Sequence, residues 1–225
     1  MAKNALPEKT KTLAKRVGFS TLGIIIISLG ISVCRIGGVG VDPYTAMNIG
    51  VSEMLGISLG IYQLVVNLLI LIPIFIFGRK QIGIGTIINL VAVGFLVDFF
   101  TWAITSVLPL GGGIIQAGIC LVIGVLLFTF GVSTYMNTDT GVAPYDAVAI
   151  VISNRTSAPY TPVRMAQDII VAVIAFFVGG PIGVFTVIAA FFAGPLITFW
   201  NDHAIIPLLK SAGAYPEKNA APQAA

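Results

Sequence analysis

Apolar residues run along this chain in long, almost uninterrupted blocks. Blocks that begin near Val17, Gly60, Ile82, Gly113, Pro162 and Ile182 extend to about Arg35, Phe77, Thr105, Tyr135, Val178 and Trp200. Each is about 17 to 25 residues long, the length of helix that crosses a hydrocarbon core about 30 Å thick. The pattern therefore predicts six transmembrane helices. Two intervals break it. Residues 37–58 and 136–161 contain Gly, Ser, Asp and Pro, yet each encloses a moderately apolar stretch too short to span and too apolar for an ordinary loop. Pro43 and Pro144 open those stretches. Proline has no amide hydrogen to lose at the first helical position and its φ is already helical, so each interval is expected to hold a short Pro-led helix. Gly40 and Gly141, just upstream, permit a tight backbone approach.

Composition agrees with a lipid solvent. Of 225 residues, 57% are hydrophobic and 9% charged, with a mean hydropathy of +1.01, whereas a soluble domain carries about 25% charged residues. A water-soluble fold of this length would lack the polar surface to cover itself, so the lipid bilayer is the expected partner. The formal net charge of +3 is not gathered on one face or interleaved with exposed aromatics, which excludes nucleic acid. It reads instead as a topology signal. With the N-terminus in the cytoplasm, six helices place Lys3, Lys9, Lys11, Lys15, Arg16, Arg79, Lys80, Arg155, Arg164, Lys210 and Lys218 on or near the cytoplasmic side and only Arg35 opposite. A multi-pass protein of the bacterial cytoplasmic (plasma) membrane, with both termini cytoplasmic, is expected. Residues 1–16 form a basic cytoplasmic N-terminus, 17–105 and 113–200 two membrane units, and 201–225 a cytoplasmic C-terminal tail, with residues from Pro216 onward disordered. Val33 is too bulky for the small residue that a lipoprotein cleavage site before Cys34 requires, so the first block is kept as mature structure. Cys34 and Cys120 lie in apolar runs without CxxC or Cys/His spacing and read as buried small hydrophobes.

The two membrane units repeat one another. Gly30-Ile31-Ser32 matches Gly131-Val132-Ser133, and Gly40-Val41-Asp42-Pro43-Tyr44 matches Gly141-Val142-Ala143-Pro144-Tyr145, both at an offset of 101 (131 − 30). Ser52 falls on Ser153 at the same offset. Ile82-Gly83-Ile84-Gly85-Thr86 falls on Ile182-Gly183-Val184-Phe185-Thr186, and Gly94 on Gly194, at an offset of 100 (182 − 82). Each unit holds three spans, an odd number, so the second copy must enter the membrane from the opposite side, as in many secondary transporters. The expected fold class is an all-α membrane protein with six transmembrane helices as two inverted 3+3 repeats, each with a short Pro-led helix after its first span.

Gly141-Val142-Ala143-Pro144-Tyr145-Asp146 and Gly83-Ile84-Gly85-Thr86 carry a resemblance to the YczE/YyaS/YitT family of bacterial multispan membrane proteins. It extends over nearly all of residues 17–200. The first copy departs from the pattern, with Asp42 before its proline and Thr45 after it, and the second has Phe185 where the first has Gly85. The resemblance implies a multispan protein of the cytoplasmic membrane and carries no molecular activity with it.

Function has to come from polar groups within the spans, where an isolated charge is costly and usually faces a cavity or a partner. Gln63 and Asn67 lie four apart early in the second span, and their repeat equivalents are Arg164 and Asp168. That spacing puts each pair on one helix face. Two readings are open: a contact to a substrate or ion, or an Arg164–Asp168 bridge that neutralises itself. Asp98, about 25 Å along its helix from Gln81 at 1.5 Å per residue, is a coupling candidate whose alternative is snorkelling to interfacial water. Asp42 and Asp146 flank the two prolines, either to cap the short helices or to meet a ligand there. Together with Tyr44 and Tyr145 these residues form the candidate substrate-binding set.

Other chemistry is weakly marked. Gly37-Gly38-Val39-Gly40 lacks the surroundings of a dinucleotide fingerprint and fits close packing instead. The lone His203 beside Asp202 reads as structural, while Trp102, Trp200 and Tyr135 read as interfacial anchors. No metal site, cofactor or catalytic set is expected, and hence no enzymatic activity. The leading function is a transporter or channel for a small solute or ion. The alternative is a membrane accessory or assembly protein acting through a membrane partner, and a homo-oligomer is compatible with either.

Overall fold

The computed structural model describes residues 8–108 and 111–216, and all regular structure among them is helical. The residues from Glu217 onward, most of the expected disordered tail, lie outside the described residues. In chain order the helices are α1 (Glu8–Ile36), α2 (Pro43–Leu55), α3 (Leu59–Phe77), α4 (Ile84–Val107), α5 (Ile114–Met136), α6 (Pro144–Thr156), α7 (Tyr160–Phe177), α8 (Val184–Phe191), α9 (Ala193–Trp200) and α10 (Ile206–Ser211). A 3-10 turn, Arg79–Gln81, precedes α4, and a π turn, Asn201–Ile205, joins α9 to α10. Five helices, α1, α3, α4, α5 and α7, are long and apolar enough to cross a membrane. A sixth span exists only as a bent pair, α8 with residues 193–211, broken by 65°.

Pro195 accounts for the break. It offers no amide to the Phe191 carbonyl and its ring collides with that carbonyl, so α8 ends there. Phe95 holds the corresponding place in α4, which runs on unbroken.

The solvent of this fold is written on its faces. Leu68, Leu69, Ile72 and Phe75 of α3, Phe99 and Trp102 of α4, and Ile170, Val173 and Phe176 of α7 all point outward. The interior holds Ser28, Ser32, Asn67, Thr86 and Ser133. Such an arrangement is stable only where the surroundings are apolar, and with the spans above it makes the chain a multi-pass membrane protein.

At the centre α1 packs against α5. Gly23 opposes Gly131 and Gly30 opposes Gly124, so the helices run antiparallel. A Cβ on Gly23 would lie 2.7 Å from the Tyr135 amide nitrogen, and one on Gly131 2.7 Å from that of Ile27. Lipid offers no hydrophobic gain for helix association, and close backbone approach is what these glycines supply. Tyr135 belongs to this seam: it is 2% exposed, a correction to its expected place at the membrane surface. The missing side chain of Gly23 is what shuts it in, since it lets the α1 backbone close directly over Tyr135.

The Gly-rich loops lock the two halves together through their backbones. Val41 N–H donates to Pro181 O at 3.0 Å, and the equivalent Val142 N–H donates to Gln81 O at 3.0 Å. Phe185 N–H donates to Val39 O at 3.0 Å, and its equivalent Gly85 N–H to Thr140 O at 2.8 Å. Thr186 adds a hydroxyl bond to Val41 O at 2.6 Å. Buried loop amides need partners wherever water is excluded, and each loop finds them in the other half.

Both Pro-led helices form. Asp42 caps α2 through Oδ1, which accepts the Thr45 N–H at 3.0 Å, and Gly56 closes the helix with φ 66°. The cap position of α6 is Ala143, which has no side chain to offer, so Asp146 is left for other work. Thirteen residues rise about 20 Å, short of a full crossing. The short helices reach across to the other half: α2 leans mainly on α7, and α6 contacts α3 as well as α7. Gly50 explains the first, since its surface lies against Val178 and Gly180, and Gly78 the second, since it receives Val151.

The sixth span does not stop at Trp200. Asn201 Oδ1 in the π turn accepts bonds from Ser133 Oγ and Asn137 Nδ2, each at 2.6 Å, and helix resumes to Ser211. Ile205, Leu209 and Ala214 are then buried against Phe19 and Phe130.

Candidate functional site

The N-termini of α2 and α6 bring Tyr44 and Tyr145 face to face. Their ring centroids are 4.3 Å apart with planes 14° from parallel, and each residue is 7% exposed. Tyr44 Oη donates to Asn67 Oδ1 at 2.7 Å, and Tyr145 Oη donates to Asp168 Oδ1 at 2.7 Å. The same bond is thus made twice, from equivalent residues of the two halves, to a neutral acceptor in one and a carboxylate in the other.

Charge is concentrated on the second side. Arg164 Nε donates to Asp168 Oδ2 at 3.1 Å, its other arm pairs with Asp146, and its guanidinium carbon lies 4.7 Å from the Tyr145 ring centroid. Gln167 Nε2 holds the same segment by donating to Tyr145 O at 2.9 Å. One arginine therefore serves two carboxylates, and a self-neutralising Arg164–Asp168 bridge is an incomplete description. The first side has no such cation. Gln63, 3% exposed, stands where Arg164 stands in the other half, and its Oε1 has no hydrogen-bond partner among the described residues. Asp42 Oδ2, left over from helix capping, is in the same state.

Over residues 14–202 the chain matches DUF6198, a family of unknown function. It belongs to that family. Similar proteins include the uncharacterized membrane protein YczE of Bacillus subtilis (strain 168), 28% identical over 188 residues that cover 83% of this chain and 86% of YczE. The uncharacterized protein YyaS of the same organism is 25% identical over 189 residues, covering 84% of this chain and 91% of YyaS. An uncharacterized protein of Haemophilus influenzae is 23% identical over 189 residues, covering 83% of each chain. No solved structure matches. The DUF6198 match and these relatives bear out the YczE-like resemblance carried by the two Gly motifs.

Within this DUF6198 chain, seven of the expected positions gather around the tyrosine pair or cap its helices: Tyr44, Asn67, Tyr145, Asp146, Arg164 and Asp168 by direct contact, and Asp42 by capping α2. Gln63 sits one turn from Asn67 on the inner face of α3, beside Gly94. Asp98 stands apart. Its Oδ2 accepts the Gly60 N–H at 2.9 Å and its Oδ1 lies 3.7 Å from Arg35, which also pairs with Glu53 at 3.2 Å. These bonds tie α1, α2, α3 and α4 together and give Asp98 protein partners.

One buried polar residue escaped the sequence reading. Asn48 is 0% exposed, one turn along α2 from Tyr44, and its side chain approaches the Tyr44 hydroxyl. Neither of its polar atoms completes a hydrogen bond among the described residues. Its repeat equivalent is Ala149, so a search by equivalence between halves passes over it. A lone Asn in an apolar Pro-led helix was the available signal. Among the described residues no group of three or more His, Cys, Asp and Glu side chains is placed to hold a metal ion.

Proposed function

We propose that this protein is a transporter or channel for a small solute or ion, built as two inverted 3+3 repeats, with passage controlled where Tyr44 meets Tyr145. The observation that carries the reading is the stacked tyrosine pair at the tips of two non-crossing helices, bonded on one side to the neutral amide of Asn67 and on the other to the buried carboxyl of Asp168, which pairs with Arg164. Half-helices whose N-termini meet inside a membrane protein are a recurring way to present amides and polar side chains to a solute. Supporting the inverted arrangement are the antiparallel α1 and α5 and the bonds that recur from equivalent residues.

Orientation follows from charge. Arg155 lies over the Phe77 ring at 4.4 Å, which brings the end of α6 to the end of α3, while Ser20 approaches Gly85 and brings the start of α1 to that same end. The described basic residues other than Arg35 thus collect at one end of the helices, which is taken as cytoplasmic. A single cysteine replacing the exposed Ser106 is expected to be labelled from outside intact cells, and one replacing the exposed Thr156 only after permeabilisation. Labelling of both from one side would remove the inverted repeat.

Function is tested in proteoliposomes against a panel of amino acids, organic anions, inorganic ions and protons. For any member that moves, the Tyr44→Phe/Tyr145→Phe variant keeps the stack and loses both hydroxyl bonds. Its flux is expected to fall at least about tenfold, since each buried bond to a charged or amide acceptor is worth roughly 1 to 3 kcal/mol. Unchanged flux would place the pathway elsewhere. If nothing moves and a stoichiometric membrane partner co-purifies, the accessory role replaces transport.

A further inference from the structure

The segment after α10 meets the first turns of α1, and the surface they form joins basic side chains to an apolar stretch. Lys15 Nζ donates to Ala212 O at 2.9 Å, and Arg16 donates from Nε to Ala214 O at 3.1 Å and from Nη2 to Tyr215 O at 3.3 Å. These bonds fix the segment after α10 against α1. They leave an open recess of about 800 Å³ lined by Lys9, Thr12, Leu13, Arg16, Lys210, Gly213 and Tyr215. Three of those residues are cations, and none of the described lining residues is acidic. Lys210 is held at its edge, with Nζ 5.3 Å from the Tyr215 ring centroid.

A second hollow lies against the same helix and the same segment after α10. This groove, about 290 Å³, is lined by Lys15, Gly18, Phe19, Leu22 and Ala212. Lys15, Gly18, Phe19 and Leu22 follow the spacing of one helix face, so the groove runs along α1 from its basic turns into the apolar block that begins at Val17. Gly18 keeps it open, for no atom lies within 4 Å of where its Cβ would be.

We propose that the recess binds the phosphate of an anionic phospholipid while one acyl chain lies in the groove along α1. Charge complementarity selects the headgroup. Basic pockets beside membrane spans hold anionic headgroups because the cations are fixed at the depth of the phosphate. The apolar groove selects a lipid over a soluble anion, since it runs along the same helix from the basic turns into the apolar block. This site is remote from the tyrosine pair and stands whether or not the protein transports anything.

Native mass spectrometry of the detergent-purified full chain tests the proposal, with phosphatidylglycerol, phosphatidylcholine of the same chains, glycerol phosphate and inorganic phosphate as probes. Phosphatidylglycerol is expected to be retained at least about tenfold better than phosphatidylcholine, and the two soluble anions not at all. The Lys9→Gln/Lys210→Gln variant spares the Lys15 and Arg16 bonds that hold the segment. It is expected to lower phosphatidylglycerol affinity roughly twenty- to thirtyfold, from the loss of two cations at a charged surface, with the melting temperature in lipid-free detergent unchanged. Equal retention of the two lipids, or an unchanged affinity in the double variant, would overturn the site. Glycerol phosphate bound as tightly as phosphatidylglycerol would overturn its lipid character.

Discussion

Replacing Arg164 with Gln is expected to destabilise the protein by about 3 to 5 kcal/mol, the range found when one partner is removed from a buried ion pair. Thermal unfolding in detergent or nanodiscs reads this as a large fall in Tm. The cause is the two carboxylates left behind, Asp168 and Asp146, both of which Arg164 serves. The first half supplies the remedy. At the equivalent places it carries Thr45, Gln63 and Asn67, all neutral. Arg164→Gln with Asp168→Asn still strands Asp146, so that double variant is expected to recover only part of the stability. The triple variant, with Asp146→Thr added, is expected to come within about 1 kcal/mol of the parent, because buried ion networks replaced as a unit are often nearly neutral. Equal stability of the single and triple variants would show that Arg164 carries no buried pairing. In proteoliposomes the triple variant separates folding from function: a well-folded protein without flux assigns the charges to the transported species or its coupling.

The second large effect concerns the loops. Gly40→Ala is expected to destabilise by about 3 kcal/mol or more, and the equivalent Gly141→Ala by a similar amount. Gly40 has φ 85° and Gly141 φ 109°, a region that disfavours a Cβ by about 1 to 2 kcal/mol. In addition, each Cβ would drive into the backbone of the other half, at Gly183 from Gly40 and at Gly83 from Gly141, which adds overpacking of about 1 to 3 kcal/mol. Gly38 is the control. Its φ is 64°, yet no atom lies within 4 Å of its Cβ position, so Gly38→Ala is expected to show only the conformational part. If Gly40→Ala melts no lower than Gly38→Ala, close contact between the loops contributes nothing to holding the halves together.

The spans were legible because a run of apolar residues needs no partner to declare itself. The bend in the sixth was not read, although Pro195 stood in plain view. Proline is tolerated in membrane helices when neighbours satisfy the freed carbonyl, and sequence does not show whether they do. The continuation past Trp200 had its own signal in Ile205, Ile206, Leu208 and Leu209, which follow the polar Asn201, Asp202 and His203. For the site, the repeat offset led to Gln63, Asn67, Arg164 and Asp168. It also held an unread clue: Tyr44 to Asn67 and Tyr145 to Asp168 are both 23 residues apart, the separation at which both bonds form. The third member of the ionic group, Asp146, and the packing of α2 on α7 depend on contacts between distant segments, for which periodicity gives no sign.

The exchange of backbone bonds between the loops also governs how the chain can be made. The amides of Val41 and Gly85 find their acceptors in Pro181 and Thr140. At a synthesis rate of about 5 to 20 residues per second, the loop around Val41 waits roughly 7 to 30 seconds for Pro181 to emerge. Throughout that time the N-terminal half sits in the bilayer with unpaired polar groups that hydrocarbon does not tolerate. Its maturation is therefore a late, long-range event, and a nascent chain halted before Gly141 presents an unfinished half to the insertion and quality-control machinery.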